Sequence, residues 1–215
     1  NGPEAYGFGE CVPVSAYNQW RTDQGIPLAD RSKWFGGLDA HISPQQSRMA
    51  WQADAILEIV DGWTDADRPF YIQWDLREPH LPNILPEPYA SMYDPRDIAP
   101  WPSYPDPLIG KPYAQAQQRR TWEVATWTWE DWAPVVARYL GTITLLDLQV
   151  GRLLDGLDRL GLSEDTVVIY TADHGDMCGG HGMVDKHMVM YDDVTRVPLI
   201  VRWPGHAAAG STCDA

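Results

Sequence analysis

Asp173 and His174 lie where an apolar run, residues 166–172, opens into a glycine-rich loop. A carboxylate oxygen beside an imidazole nitrogen can bind a divalent cation, although two ligands are too few for Ca2+, which takes about six to eight oxygens. In open α/β sheets, ligands bind beyond the carboxyl ends of strands, so the pair is placed for chemistry. The alternative is that Asp173 caps a turn and His174 is an ordinary polar residue.

Two further residues could act on an anion held near this pair. Lys186 follows His174 by 12 residues and carries a fixed positive charge. His80 comes just after residues 70–76, whose apolar pattern predicts a mostly buried strand. Each has an ordinary alternative, Lys186 as a surface lysine and His80 as a loop residue that caps a turn.

Four separated motifs together resemble the sulfatase family of the alkaline phosphatase superfamily, and the resemblance covers residues 69–205. The motifs are Pro79-His80-Leu81-Pro82, Asp173-His174-Gly175-Asp176 with Gly179-Gly180-His181-Gly182, Lys186-His187, and residues 195–205. The resemblance implies that Asp173 and His174 bind one divalent ion. It also implies that Lys186 and His80 contact the sulfate oxygens and the bridging oxygen of a substrate.

The activity implied by this resemblance is the hydrolysis of a small anionic sulfate monoester to an alcohol and sulfate. The implied ion is Ca2+, but many members of the family carry Asn where this chain has His174, and the softer nitrogen ligand leaves Mn2+ open. A histidine at this position is also seen in related phosphonate monoester hydrolases, so phosphonate or phosphate monoesters are alternative substrates. A fragment or degenerate homologue that only binds an anion is a second alternative.

Two features of the family are not found in this sequence. Its nucleophile is a formylglycine made from the Cys or Ser of a C-x-[PA]-S-R motif. In the segment from Cys11 to Ser15, Val14 stands where Ser belongs and Ser15 where Arg belongs, so Cys11 receives no catalytic role. The opening strand with paired aspartates is also absent. We therefore expect a partial catalytic domain, incomplete at both ends, that binds metal weakly and is inactive alone, with the formylglycine in the parent protein.

The predicted fold is α/β and alkaline-phosphatase-like, with a largely parallel central sheet flanked by helices. A cap pattern at residues 43–46 predicts a helix that ends near Gly62, and apolar residues at steps of four and three over residues 139–160 predict a long amphipathic helix. The continuous apolar run of residues 166–172 predicts a buried strand, and residues 197–202 predict a further short strand. A strand, the long helix and a strand would form a βαβ unit.

The chain length suits a single domain, residues 1–215, with three parts. Residues 1–42 lack a sustained period and are predicted to be irregular. Residues 77–133 form a long surface excursion rich in Pro and Trp. Ten of the 18 prolines lie between Pro79 and Pro112, a density that is expected to exclude helix and central strand. Residues 134–205 contain the long helix, the strand and the metal-site loop.

Other polar and aromatic residues have weaker interpretations. The tryptophans of residues 122–132 could form a stacking platform for a sugar or aryl group, but such a cluster more often packs a loop onto its domain. Loop hydrogen bonding is predicted for four neighbours of the metal pair, namely Asp176, His181, Asp185 and His187.

Composition excludes several classes of function. A net charge of -14 with scattered Lys and Arg disfavours nucleic acid as a partner. No apolar stretch is long enough for a membrane span, and the segment that begins at Asn1 lacks a signal-peptide pattern. Three widely separated cysteines favour a reducing compartment such as the cytoplasm. Nothing in the pattern indicates an oligomeric state.

Overall fold

The computed structural model describes residue 9, residues 11–63 and residues 68–213. The helices are α1 (Val14–Asp23), α2 (Arg48–Asp61), α3 (Tyr113–Thr121), α4 (Trp129–Arg159) and α5 (Asp192–Thr195). The strands are β1 (Gly37–Leu38), β2 (Ile84–Leu85), β3 (Val168–Thr171) and β4 (Leu199–Arg202). β1 pairs with β2 in parallel, with Gly37 opposite Ile84, whereas β3 and β4 are antiparallel, with Val168 opposite Arg202. The α/β class is as predicted.

The prediction of irregular structure for residues 1–42 was wrong where α1 and β1 form, while residues 1–8 and 10 lie outside the described part. α1 has little apolar periodicity, so the sequence pattern did not indicate it. A buried ion pair stabilises it instead, with Arg21 Nη1 2.6 Å from Asp39 Oδ2. The hydroxyl of Tyr17 also donates to the carbonyl of Gln46 at 2.7 Å.

The predicted helix start at Ser43 is confirmed in two steps. The backbone N–H of Ser43 donates to Oε1 of Gln46 at 3.0 Å and closes a capping box around the 3-10 turn Pro44–Gln46. Ser47 then caps α2, accepting a hydrogen bond from Ala50 N at 3.2 Å. α2 ends at Asp61, and Gly62 is its C-cap, as predicted.

The predicted strand over residues 70–76 does not form, and in the described chain no strand pairs with residues 69–77. The predicted βαβ unit is therefore not observed either. Within residues 79–112, where proline was expected to exclude central strands, β2 nevertheless makes a short parallel pair. α3 begins directly after Pro112, where the fixed φ of proline favours a helix start.

α4 is the longest helix and holds the core together. It starts at a capping box, in which the backbone N–H of Thr128 donates to Oδ2 of Asp131 at 2.8 Å. Trp132 packs in one apolar cluster with Leu81, and Leu145 packs in a second with Met49. The long helix is thus confirmed. Its buried residues lie on a face next to the one that the apolar pattern predicted, because α2 and residues 81–90 pack against this neighbouring face.

β3 and β4 both carry exposed apolar side chains. Ile169 of β3 and Leu199 and Ile200 of β4 have exposed side chains. β3 was expected to be a buried strand because of its continuous apolar run, yet burial alternates along it. Among the described residues, β4 is the strand that pairs with β3. With this one neighbouring strand, several apolar side chains of β3 and β4 remain exposed to solvent.

Candidate active site

Asp173 and His174 follow β3 directly, as predicted. The ring Nδ1 of His174 lies 2.8 Å from the carbonyl oxygen of Gly175, and because a carbonyl only accepts, Nδ1 must carry the proton. In the neutral ring the lone pair is then on Nε2, which lies 3.4 Å from Oδ2 of Asp173. Metal-binding histidines commonly donate their second ring nitrogen to a carbonyl in this way.

The pair fits two positions of a divalent metal site. Ligand atoms bound to one ion at about 2.0 to 2.5 Å lie roughly 3 Å apart, close to the separation of Asp173 Oδ2 and His174 Nε2. The Asp173 side chain is 87% exposed, so its carboxylate is accessible to an ion. Among the described residues, no group of three or more His, Cys, Asp or Glu side chains is arranged to hold a metal.

Gly175 fixes the start of the metal-site loop against α5. Its N–H donates to the carbonyl of Val194 at 2.8 Å. A Cβ added at Gly175 would lie 1.9 Å from the carbonyl oxygen of Asp193, so only glycine allows this approach. The glycine in the Asp-His-Gly motif therefore has a packing role here.

His80 lies in a turn ordered by its own backbone and by an aromatic neighbour. Its N–H donates to the carbonyl of Arg77 at 2.9 Å, and Nδ1 donates to the carbonyl of Leu81 at 2.7 Å. The lone pair of the neutral ring is therefore on Nε2. Trp34 meets the ring edge to face, with centroids 6.4 Å apart, and Trp34 itself stacks on Trp122.

The structure brings His80 and Lys186 together although they are 106 positions apart. Nζ of Lys186 lies 3.0 Å from Nε2 of His80. The Lys186 ammonium group can only donate hydrogen bonds, so it donates to the lone pair of the His80 ring. Nζ also lies 3.2 Å from Oδ1 of Asp185, and the Lys186 side chain is mostly buried. The interpretation of Lys186 as a solvated surface lysine is therefore wrong for this structure.

Loop hydrogen bonding is confirmed for Asp176 and Asp185. Oδ1 of Asp176 accepts from the backbone N–H groups of Cys178 and Asp185, at 2.8 and 3.1 Å. Burial raises the pKa of Asp176 above its ordinary value, although these hydrogen bonds act in the opposite direction. Burial also raises the pKa of the Cys178 thiol, which makes a thiolate unfavourable at this position.

His181 ties the loop to the proline-rich excursion through a partner that the sequence analysis did not identify. Its Nδ1 lies 2.7 Å from Oδ2 of Asp106, 75 positions away, and its ring stacks on Tyr191 at 3.8 Å. Arg119 donates to the main-chain carbonyls of Asp106 and His181. Asp106 sits among prolines with no local pattern, so no sequence signal pointed to it.

The pKa of Asp106 reflects this contact. Burial alone would raise it, but hydrogen bonds from His181 and from the backbone N–H of Leu108 outweigh burial and lower the pKa below its ordinary value. The carboxylate is thus favoured in its ionised form by the folded structure. It accepts the hydrogen bonds that join the excursion to the loop.

The tryptophans of the excursion mainly pack it onto α4. Trp132 is fully buried and meets Trp127 with ring centroids 4.7 Å apart. Trp129 Nε1 donates to the carbonyl of Ile98 at 2.7 Å, and Trp101 Nε1 donates to the carbonyl of Cys178 at 2.8 Å. These contacts favour packing over a sugar platform, and Trp101 links the excursion to the metal-site loop.

His187 also takes part in the contacts within the metal-site loop. Its Nε2 lies 3.3 Å from Oδ2 of Asp185.

Among the residues the structure describes, no helix combines the length and apolar character needed to cross a membrane.

The sequence and the fold both lead to one family. The family profile described as Sulfatase matches residues 19–213, and the chain belongs to the sulfatase family. An uncharacterised sulfatase, YidJ, of Escherichia coli strain K12 is 29% identical over 217 residues, covering 95% of this chain and 43% of that protein. Iduronate 2-sulfatase of Homo sapiens is 30% identical over 166 residues, covering 71% of this chain and 30% of that protein.

Two solved structures share the fold. The phosphonate monoester hydrolase of Agrobacterium radiobacter has a TM-score of 0.72 at 24% identity and covers 89% of this chain and 42% of its own. Phosphonate monoester hydrolase SpPMH from Silicibacter pomeroyi has a TM-score of 0.72 at 25% identity, covering 88% and 41%. These likenesses confirm the alkaline-phosphatase-like fold. The chain spans less than half the length of each of these relatives.

Proposed function

We propose that the protein hydrolyses a sulfate monoester, with Lys186 and His80 contacting the substrate anion. The observation that carries this proposal is the 3.0 Å contact between Lys186 Nζ and His80 Nε2, made by two residues from separate motifs. We further propose that residues 1–215 form part of one catalytic domain, which the single family match over residues 19–213 supports.

The geometry defines what each of these side chains can do. An ammonium group has three donors; in Lys186 one faces His80 and one faces Asp185, which leaves one for an oxygen of the substrate. Cleavage builds negative charge on the leaving oxygen, and a fixed cation stabilises that charge. The third N–H of Lys186, which faces neither His80 nor Asp185, is the donor proposed for that oxygen.

Asp173 and His174 are proposed as two ligands of one divalent ion, Ca2+, with Mn2+ as the alternative. The hydrogen bond from Nδ1 of His174 to the Gly175 carbonyl and the position of Nε2 beside Asp173 support this assignment. When bound, such an ion would stabilise negative charge on the oxygens of the ester. The formylglycine nucleophile that the family implies is assigned to no residue of this chain.

A phosphonate or phosphate monoester is the second candidate substrate. The observation that favours it is His174, an imidazole where many sulfatases carry an amide. The phosphonate monoester hydrolases that share the fold are consistent with it. Sulfates and phosphonates are both tetrahedral anions, so a lysine and a histidine could serve either.

Among sulfate esters, a sulfated sugar is the proposed substrate class. Iduronate 2-sulfatase covers 71% of this chain at 30% identity. N-acetylglucosamine-6-O-sulfatase of Bacteroides thetaiotaomicron is 43% identical over 77 residues, 36% of this chain. Both of these relatives are named for sulfated sugars, and this is the support for extending that class to the present protein.

A direct assay tests the proposal. The full polypeptide that contains this chain is assayed on 4-nitrophenyl sulfate and on a 4-nitrophenyl phosphonate monoester, with Ca2+ or Mn2+ added after chelation. We expect metal-dependent turnover with the sulfate preferred. A preference for the phosphonate would replace the first candidate by the second, and absence of both activities would leave anion binding alone. This chain by itself is expected to be inactive, so robust turnover by it would contradict the partial-domain proposal.

A further inference from the structure

Asp185 is a buried carboxylate placed between the Lys186 ammonium and the His187 ring. Its side chain is only 6% exposed. Oδ1 lies 3.2 Å from Lys186 Nζ, and Oδ2 lies 3.3 Å from His187 Nε2. Oδ1 also accepts the backbone N–H of Lys186 at 2.9 Å. One carboxylate therefore contacts both side chains that follow it in the chain.

The backbone of Asp185 is held as firmly as its side chain. Its N–H donates to Oδ1 of Asp176 at 3.1 Å, and its carbonyl accepts from Met177 N at 3.1 Å. The φ angle of Asp185 is 65°, in the left-handed region, where Asp and Asn are the non-glycine residues best tolerated. The carboxylate is thus a fixed point against which a flexible lysine can be oriented.

We propose that Asp185 is the positioning residue of the anion site, holding the Lys186 ammonium against His80 Nε2. This inference rests on the proposed function and goes beyond it, since the family resemblance assigns no role to Asp185. A lysine has four rotatable bonds, and the Asp185 contact selects the arrangement in which Nζ meets His80. The orientation is set before the substrate arrives.

A negative charge beside an anion site has a cost that makes the proposal testable. The Asp185 carboxylate repels an anionic ester and so weakens binding in the ground state. Its benefit is the placement of Lys186 for the transition state, where orientation errors of about 1 Å cost roughly a hundredfold in rate. A positioning role therefore predicts that removing the charge lowers kcat without raising KM.

The first experiment measures Asp185→Asn in the full polypeptide, with 4-nitrophenyl sulfate as substrate. Asn keeps the shape and tolerates the left-handed φ, so the fold is retained. We expect kcat to fall about tenfold to a hundredfold while KM stays unchanged or decreases. An unchanged kcat, or an increased KM at constant kcat, would overturn the proposal. The control is Asp192→Asn, which removes the same charge from an exposed side chain and should leave both constants unchanged.

A double-mutant cycle separates positioning from a general structural role. If Asp185 acts through Lys186, then Asp185→Asn should reduce kcat little further in a Lys186→Met background. If the two substitutions reduce kcat by independent factors, Asp185 acts on something else and the proposal is wrong. The cycle remains informative even if Asp185→Asn lowers the stability of the protein, because both arms carry that loss.

Nitrogen NMR of the His80 ring gives a readout that does not depend on activity. In this chain, the ring nitrogen shift of His80 Nε2 should report a lone pair that accepts a hydrogen bond, and the shift should move toward that of a free acceptor in Asp185→Asn. No change would overturn the positioning role. If the unmodified polypeptide lacks sulfatase activity while the shift still moves, the proposed function fails and the positioning of Lys186 stands.

Discussion

The two halves of the candidate site differ in how completely this chain builds them. On the anion side, Lys186 contacts both His80 and Asp185, and Asp185 is almost fully buried. On the metal side, Asp173 and His174 lie beside each other, but the Asp173 side chain is open to solvent. A buried side chain held by several partners is more firmly oriented before binding than an exposed one. The anion half is therefore more fully preorganised than the metal half, where the exposed Asp173 accepts the backbone N–H of His174.

The largest effect is expected from Lys186→Met, which removes the cation of the preorganised half. Loss of one donor that stabilises developing charge costs about a hundredfold to a thousandfold in kcat. The measurement is kcat on 4-nitrophenyl sulfate with the full polypeptide. The control is Lys33→Met, an exposed lysine outside the site, which should have no effect. A loss of less than about tenfold from Lys186→Met would place the anion elsewhere.

A smaller effect, confined to metal dependence, is expected from Asp173→Asn. Replacing a charged ligand with a neutral amide should raise the Ca2+ concentration for half-maximal activity by about ten- to a hundredfold. Activity titrated against Ca2+ and Mn2+ gives this value, with the exposed Asp165→Asn as the charge-matched control. Calorimetry on this chain alone should show weak metal binding. Tight stoichiometric binding would contradict the contrast between the two halves.

The contrast between the halves also predicts the effect of Gly175→Ala on stability. The new Cβ would lie 1.9 Å from the carbonyl oxygen of Asp193, so the metal-site loop must shift. The free energy of unfolding should therefore fall by about 1 to 3 kcal/mol. Gly151→Ala is the matched control, because its Cβ meets nothing within 4 Å in the α4 helix. That control should stabilise by roughly 0.5 to 1 kcal/mol. Equal thermal shifts of the same sign would contradict the close approach at Gly175.

The smallest effect concerns pH and the contact between Asp106 and His181. The folded pKa of Asp106 lies below its ordinary value of 3.8, so folding favours the carboxylate. The stability that Asp106 contributes is present above that ordinary value and is lost as pH falls through the folded pKa. Thermal unfolding of Asp106→Asn should therefore differ most from the unmodified chain near neutral pH, and the difference should shrink below about pH 4. Asp97→Asn removes the same charge from an exposed side chain of the same excursion and is the matched control.

Sequence alone was sufficient for the parts of the site that depend on local order. The capping signals at Ser43, the long amphipathic helix and the strand before Asp173 are written in neighbouring residues, and the structure confirms all three. The motif set also identified the sulfatase family, which the family match confirms. Cap hydrogen bonds and helical periods act over a few residues, so the chain shows them directly.

Sequence was insufficient where stabilisation comes from distant partners. α1 was missed because the Arg21–Asp39 ion pair that anchors it joins residues 18 positions apart. The strand expected at residues 70–76 has the right alternation, but a strand also needs a neighbour to accept its hydrogen bonds, and in the described residues none pairs with it.

What the sequence by itself determined is the identity of the reactive groups: a carboxylate and an imidazole after a strand, a lysine 12 residues on, and a histidine in a Pro-His-x-Pro turn. Only the tertiary structure decided how they act together. It places Lys186 at His80, buries Asp185 beneath the lysine, and ties His181 to Asp106. Hydrogen bonds and ion pairs act over about 3 Å, so residues 75 to 106 positions apart interact only because folding brings them together.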